Sequence, residues 1–232
     1  MTSAIATNIE KIKQQTHQAE QANHRPIGHT TILAVSKQHS SQAILEAWNA
    51  GLRDFGENYL QEALVKMQAL SQLSIHWHYI GTIQRNKTAA IAQHFQWVHT
   101  VSSFNIAQRL NNSRPDSTPA LNVCIQLNLD NEISKTGAHP NEALQLAKEI
   151  SQLPHLVLRG LMAIPKPEQD INKQRASFQR LTEYFQEINQ QLKTPMDTLS
   201  MGMSHDFEAA IAAGSTIVRI GTAIFGERKI KI

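Results

Sequence analysis

The sequence predicts an α/β fold, a single (β/α)8 barrel of the TIM type with an extra helix at its N-terminus. Three observations predict it. Short apolar runs alternate with longer amphipathic stretches along nearly the whole chain. Several of these runs are apolar at almost every position, the pattern of parallel strands covered on both faces. The run-and-stretch unit also recurs about eight times in 232 residues, a size at which such barrels form one unit. The main rival is an open, doubly wound sheet. It would carry a glycine-rich phosphate loop after its first strand, and neither G-x-G-x-x-G nor a Walker motif stands there. No low-complexity linker divides the chain, so residues 1–232 are expected to form one domain.

The elements follow in order. Residues 3–23 read as a polar opening helix whose thin apolar stripe is Ala4, Ile5, Ile9 and Ile12. The strand-like runs are Thr31–Ser36, Asp54–Glu57, His76–Gly81, Trp97–Val101, Asn122–Asn128, Val157–Ala163, Thr198–Gly202 and Ile217–Gly221. Between them, Ser41–Ala50 starts at serine and stops at Gly51, Asn58–Leu70 follows Glu57, Asn141–Ser151 follows Pro140, and Asp206–Ala213 begins at aspartate and ends at Gly214. Ser, Asn and Asp suit helix N-caps and glycine suits the position past a helix end. Asn111–Pro119 is rich in turn formers and reads as a connection.

Composition narrows the function classes. A formal net charge of +3 is too small to argue for nucleic acid, and the basic end Arg228–Lys231 reads as a solvated tail. Cys124 is the single cysteine, which excludes an internal disulfide and suits a reducing, cytoplasmic setting. No apolar run approaches the roughly 20 residues of a membrane span, and the N-terminus lacks the apolar stretch of a signal peptide. The 11 histidines are scattered; His76 and His78 share a strand face but lack an obvious third ligand, so a metal site is not expected. Cys124 lies inside an apolar run and is read as core.

In a barrel of this type the chemistry sits at the C-terminal ends of the strands. Lys37 leaves the first strand directly. Partial burial there favours the uncharged amine, which is the form that attacks an aldehyde. The loops after the seventh and eighth strands are the usual place for a phosphate. Here they carry Met203, Ser204, Gly221 and Thr222, two hydroxyls and a glycine beside a helix start whose backbone N–H groups suit an anion. Arg219 lies two residues before Gly221 and so faces the same side of the strand. The second strand ends at Glu57–Asn58, and His78 stands on the third, with Tyr79 on the opposite face.

The blocks AVSKQ around Lys37, FGENYLQE (Phe55–Glu62), WHYIGTIQRNK (Trp77–Lys87), SKTG (Ser134–Gly137), GLMAIP (Gly160–Pro165), LSMGMSHDFEAAIAAGST (Leu199–Thr216) and VRIGTAIFG (Val218–Gly226) resemble the pyridoxal 5′-phosphate (PLP) homeostasis protein family, also described as alanine-racemase-like and proline-synthase co-transcribed. The resemblance runs from about residue 30 to 226. It implies a barrel like the N-terminal domain of alanine racemase, with PLP held as a Schiff base on Lys37. By the same resemblance Met203, Ser204, Gly221 and Thr222 lie at the phosphate, Arg219 faces the pyridine nitrogen, and Asn58 and His78 lie near the ring. Two departures stand out. Lys37–Gln38–His39–Ser40 lacks the second lysine and the proline often found there, and His205 replaces a more usual acidic residue; Lys135 of SKTG is retained as a possible second PLP contact.

The resemblance also implies a cytoplasmic monomer that keeps free PLP low and gives its cofactor to PLP-dependent apo-enzymes, without robust turnover. A weak amino-acid racemase is the alternative. A racemase needs acid/base groups on both faces of the reacting carbon. Lys37 serves one face, and Tyr59, Tyr79 and Tyr184 are the only tyrosines available for the other. Arg219, permanently protonated, would weaken the ring as an electron sink.

Overall fold

The computed structural model describes residues 3–130 and 136–227. Eight parallel strands close into a barrel in sequence order: β1 (Thr31–Val35), β2 (Asp54–Glu57), β3 (His76–Tyr79), β4 (Trp97–Val101), β5 (Leu121–Leu127), β6 (Leu156–Ala163), β7 (Thr198–Met203) and β8 (Ile217–Ile220). β8 returns to β1 with Ala34 opposite Ile220, which closes the ring. The expected α/β barrel is therefore the observed one.

The helices are α1 (Ala4–Ala22), α2 (Ser41–Asn49), α3 (Leu60–Ala69), α4 (Thr88–His94), α5 (Phe104–Ser113), α6 (Ala143–Ile150), α7 (Ile171–Asn189), α8 (Phe207–Ala212) and α9 (Thr222–Phe225). α1 is the extra element, and it packs against α2, α8 and α9. Asn8 donates to the carbonyl of Ile224 and Arg25 to that of Ile211, so the opening helix is pinned beside the last two helices. Ile9 and Ile12 of its stripe are buried as read. The core between sheet and helices holds Phe55, Phe95, Phe178, Ile44 and Leu110, all essentially inaccessible. Each such side chain contributes roughly 1.5–3 kcal/mol by leaving water.

Several boundaries move for identifiable reasons. Ser40, not Ser41, caps α2, its Oγ accepting from the amide of Ala43. Asn58 and Tyr59 stay outside α3, which starts at Leu60. Asp206 stands at the N-cap of α8, as read, but makes no side-chain cap bond; its carboxylate turns back to accept from the Met203 amide at 2.6 Å. The expected connection over 111–119 begins only at Arg114, because α5 carries an apolar stripe of Ile106, Ala107 and Leu110 that the cluster of turn formers masked. No side-chain cap bond marks the start of α4 or α5, although Ser103 stands at the N-cap of α5.

Candidate functional site

The backbone around Lys37 is held by a buried ionic clamp. Lys37 is the second residue past β1 and is partly buried. Ser36, just before it, is fully buried: its amide donates to Gly56 O, and its hydroxyl to Glu57 Oε1 at 2.7 Å. Lys66, reaching in from α3, donates to Ser36 O (2.7 Å), Glu57 Oε1 (2.7 Å) and Glu62 Oε1 (2.6 Å). Glu62 Oε1 also accepts from the Gln38 amide. Lys66 and Glu62 thus grip the chain on either side of Lys37. The grip explains why Gln38 sits at φ +64°, a conformation a non-glycine residue adopts at some cost. Burial raises the Glu57 carboxyl above its usual pKa, more than the Lys66 charge beside it lowers it.

Next to the clamp, β2 hands over to Asn58. Its Oδ1 is buried and has no hydrogen-bond partner. Its backbone packs so closely on Gly81 that a Cβ at Gly81 would come within 2.2 Å of Asn58 O. Only glycine fits there, so the end of β3 positions Asn58.

The ends of β7 and β8 converge. Ser204 Oγ accepts from the Ala223 amide in the first turn of α9, which joins the β7 loop to the start of that helix. The Asp206–Met203 bond pins the same turn, and Met203 is exposed beside it. Gly202 has φ +91°, and a Cβ there would collide with Ala210 Cβ at 2.5 Å, so the sharp exit from β7 requires glycine. Gly221 differs. A Cβ on it would meet only ordinary contacts with Val35, so the protein itself does not demand glycine there.

Arg219 is buried inside the barrel. Its Nη1 donates to Ser200 O (2.6 Å) and Ser200 Oγ (3.0 Å), and its Nη2 to Ala163 O at the C-terminal end of β6 (3.0 Å). Burial lowers its pKa to about 10, which still leaves it protonated at neutral pH. Lys37, Asn58, Met203, Ser204, Gly221 and Thr222 thus gather at the C-terminal strand ends, with Arg219 beneath them. His78 does not join that group. It is buried within the barrel, with Nε2 on Asp54 Oδ1 (3.1 Å) and Nδ1 on His99 Nε2 (2.9 Å). Among the described residues, no cluster of His, Cys, Asp and Glu could hold a metal ion. Lys135 lies outside the described residues, as does the basic end at 228–231.

Residue-by-residue reading of the sequence missed Lys66, Glu62, Asp54, His99 and Ser200. A signal existed for two of them. Inward alternation that pairs His76 with His78 also pairs Trp97 with His99 and Thr198 with Ser200. Lys66 carried none, since a lysine on an amphipathic helix ordinarily faces water.

Comparison with known proteins bears on the fold and the family. The family described as "Alanine racemase, N-terminal domain" matches residues 2–229. A Pseudomonas aeruginosa protein named "Pyridoxal phosphate homeostasis protein" is 53% identical over 226 residues, covering 97% of this chain and 96% of its own. The chain belongs to the PLP homeostasis protein family. Another member, from Escherichia coli K12, is 45% identical over 227 residues, with 97% of each chain covered. A solved member, PipY of Synechococcus elongatus with PLP bound, superposes with a TM-score of 0.84 at 33% identity, over 96% of this chain and 100% of its own. Alanine racemase of Clostridium difficile shares the fold alone, with a TM-score of 0.72 at 14% identity, over 98% of this chain and 57% of that one. Within this family, the departures after Lys37 acquire definite jobs. The amide of Gln38 joins the clamp, and the His39 ring stacks on Phe225 of α9 with centroids 4.8 Å apart, tying the Lys37 loop to the helix that follows Gly221.

Proposed function

We propose that this chain, as one cofactor-binding unit of residues 1–232, binds PLP covalently at Lys37 and serves PLP homeostasis by holding and releasing it. The single observation that carries the reading is the gathering of a partly buried lysine, an anion cup and a buried arginine at one end of the barrel. Those groups match the molecule part by part. Lys37 Nζ suits an aldehyde. The Ser204 and Thr222 hydroxyls and the first turn of α9 suit a phosphate. Arg219 suits the ring nitrogen. The buried Asn58 Oδ1 without a partner also fits, because a donor on a bound molecule would satisfy it. When bound, PLP supplies an electrophilic aldehyde and an electron-withdrawing ring.

Turnover is poorly supported by the residues around that site. A protonated arginine opposite the ring nitrogen keeps that nitrogen from gaining a proton. Tyr79 lies outside the lumen, its OH donating to Thr82 O and its ring packed edge-on against Phe95. Tyr184 packs on the outer face of the barrel from α7. Tyr59 is exposed at the mouth. In this reading the protein is a cytoplasmic monomer that gives PLP to apo-enzymes and has no dedicated acid on the second face of a bound amino acid.

The decisive experiment is the visible spectrum of wild type and Lys37→Ala, before and after borohydride. A visible band in the wild type that borohydride abolishes while fixing the cofactor onto Lys37, and that the variant lacks, is the expected result. A wild type that stays colourless with added PLP refutes the reading. Release of PLP to an apo-enzyme, with no exchange of deuterium into Cα of alanine in heavy water, distinguishes carrier from racemase.

A further inference from the structure

The barrel interior holds a polar chain that the cup and the clamp leave unexplained. Asp54 Oδ1 is 3.1 Å from His78 Nε2, His78 Nδ1 is 2.9 Å from His99 Nε2, His99 Nδ1 is 2.8 Å from Ser200 Oγ, and Arg219 Nη1 is 3.0 Å from the same Oγ. The five residues come from β2, β3, β4, β7 and β8. β4 and β7 are not neighbours in the sheet, so the His99–Ser200 bond crosses the lumen. His78, His99, Ser200 and Arg219 are buried, whereas Asp54 begins β2 at the N-terminal mouth and keeps some exposure. Barrel interiors are ordinarily filled with branched apolar side chains.

The chain has a direction. Burial alone would raise the pKa of Asp54, but the hydrogen bonds from His78 and His76 lower it overall, so it is a carboxylate. Burial lowers the pKa of His78 and, further, that of His99, so both imidazoles are neutral. A carboxylate only accepts, which places a proton on His78 Nε2 and leaves Nδ1 as acceptor. His99 must then donate from Nε2 and accept at Nδ1. Ser200 donates its hydroxyl proton to His99, and its oxygen accepts from Arg219. With neutral rings this single pattern satisfies every bond. The stack of His78 on Trp97, at 5.4 Å and 5° between planes, holds the first ring in register.

We propose that Asp54, His78, His99 and Ser200 are positioning residues that act through one fixed tautomeric chain to set the plane of the Arg219 guanidinium at the cofactor end of the barrel. The proposal rests on the PLP reading above. Ser200 is the contact point: its carbonyl and hydroxyl oxygens take Nη1 between them, and Ala163 O takes Nη2. With the Ser200 proton committed to His99, the hydroxyl oxygen stays turned toward the arginine. Asp54, at the opposite mouth, dictates which way all the protons point. His78 thus bears on the ring site through Arg219 rather than by contact.

The test has two arms, both on the intact chain. The first is nitrogen NMR of the cofactor-free protein labelled at histidine. The expected result is the Nε2–H tautomer for both His78 and His99, with His99 losing it in Asp54→Asn, whose amide can donate as well as accept. Mixed tautomers in the wild type, or an unchanged His99 in the variant, overturn the chain. The second arm loads PLP. Asp54→Asn and the smaller change Ser200→Ala should each shift the visible absorption maximum and release PLP several-fold faster, while His29→Ala, at an exposed histidine off the chain, leaves both unchanged. A merely structural role would lower the melting temperature without moving the absorption maximum. If wild type binds PLP and neither variant shifts the band, this proposal fails while the PLP reading stands. If wild type binds no PLP, it is the PLP reading that falls, and the relay's cofactor role with it.

Discussion

Replacing Lys66 by Met removes the cation from the clamp while keeping its apolar stem. The loss can be scaled from the structure. Glu57 is fully buried, its Oε2 has no partner, and its Oε1 is left with only the Ser36 hydroxyl. Taking one partner from a buried ion pair costs about 3–5 kcal/mol. The lower end applies, because the Glu57 carboxyl already has a raised pKa and can take up a proton. About 3 kcal/mol in a chain of this size corresponds to a fall of about 6–12 °C in melting temperature at neutral pH. The fall should depend on pH. A carboxyl whose folded pKa lies above its unfolded value holds its proton in the folded state while the unfolded chain loses it. Stability is then lost as pH rises from about 4.5 through the folded pKa, over a wider window in the variant than in the wild type. Glu57→Gln combined with Lys66→Met should restore most of the stability, since no buried charge remains. Thermal melts of wild type, both single variants Lys66→Met and Glu57→Gln, and the double variant between pH 4 and 8 would measure all of this. A Lys66→Met variant within about 1 kcal/mol of wild type at every pH would show that the clamp contributes little and that Gln38 keeps its positive φ for another reason.

Three further outcomes are expected. Gly221→Ala should leave the melting temperature nearly unchanged, because the new methyl meets only ordinary contacts, yet weaken PLP binding about tenfold or more, as judged by titration of the visible band; equal losses of both would mean the glycine serves the fold. Cys124 is buried and its thiol pushed up to about 12, so it should resist alkylation at neutral pH until the protein unfolds; rapid labelling of the native chain would contradict its place in the core. Glu20→Ala should cost about 2 kcal/mol at pH 7 in a denaturant melt, since Glu20 accepts from the Gly28 and Thr30 amides at 2.8 and 2.7 Å. Burial would raise its pKa, but those amides lower it overall, so wild type loses this contribution as pH falls through the acid range whereas the variant has none to lose.

What the sequence determined by itself was whatever depends on short-range pattern. Runs of apolar residues specify strands buried on both faces, and their spacing specifies a closed ring, because parallel strands joined by helices have few other ways to cover both sides of a sheet. The same logic placed Lys37, Ser204, Gly221 and Arg219 at or near strand ends, where a barrel presents side chains to a ligand. The start of α4, which has Lys87 at its N-cap and no side-chain cap bond, left no local mark. Only the tertiary structure decided which polar residues meet. Lys66 looks like a surface lysine until α3 turns it onto Ser36, Glu57 and Glu62. His99 and Ser200 are separated by 101 residues and by two intervening strands, and only closure of the barrel brings them within 2.8 Å. Inward alternation says that a residue faces the lumen; it does not say which residue stands across from it. That depends on the stagger of all eight strands, a property of the closed ring rather than of any one segment.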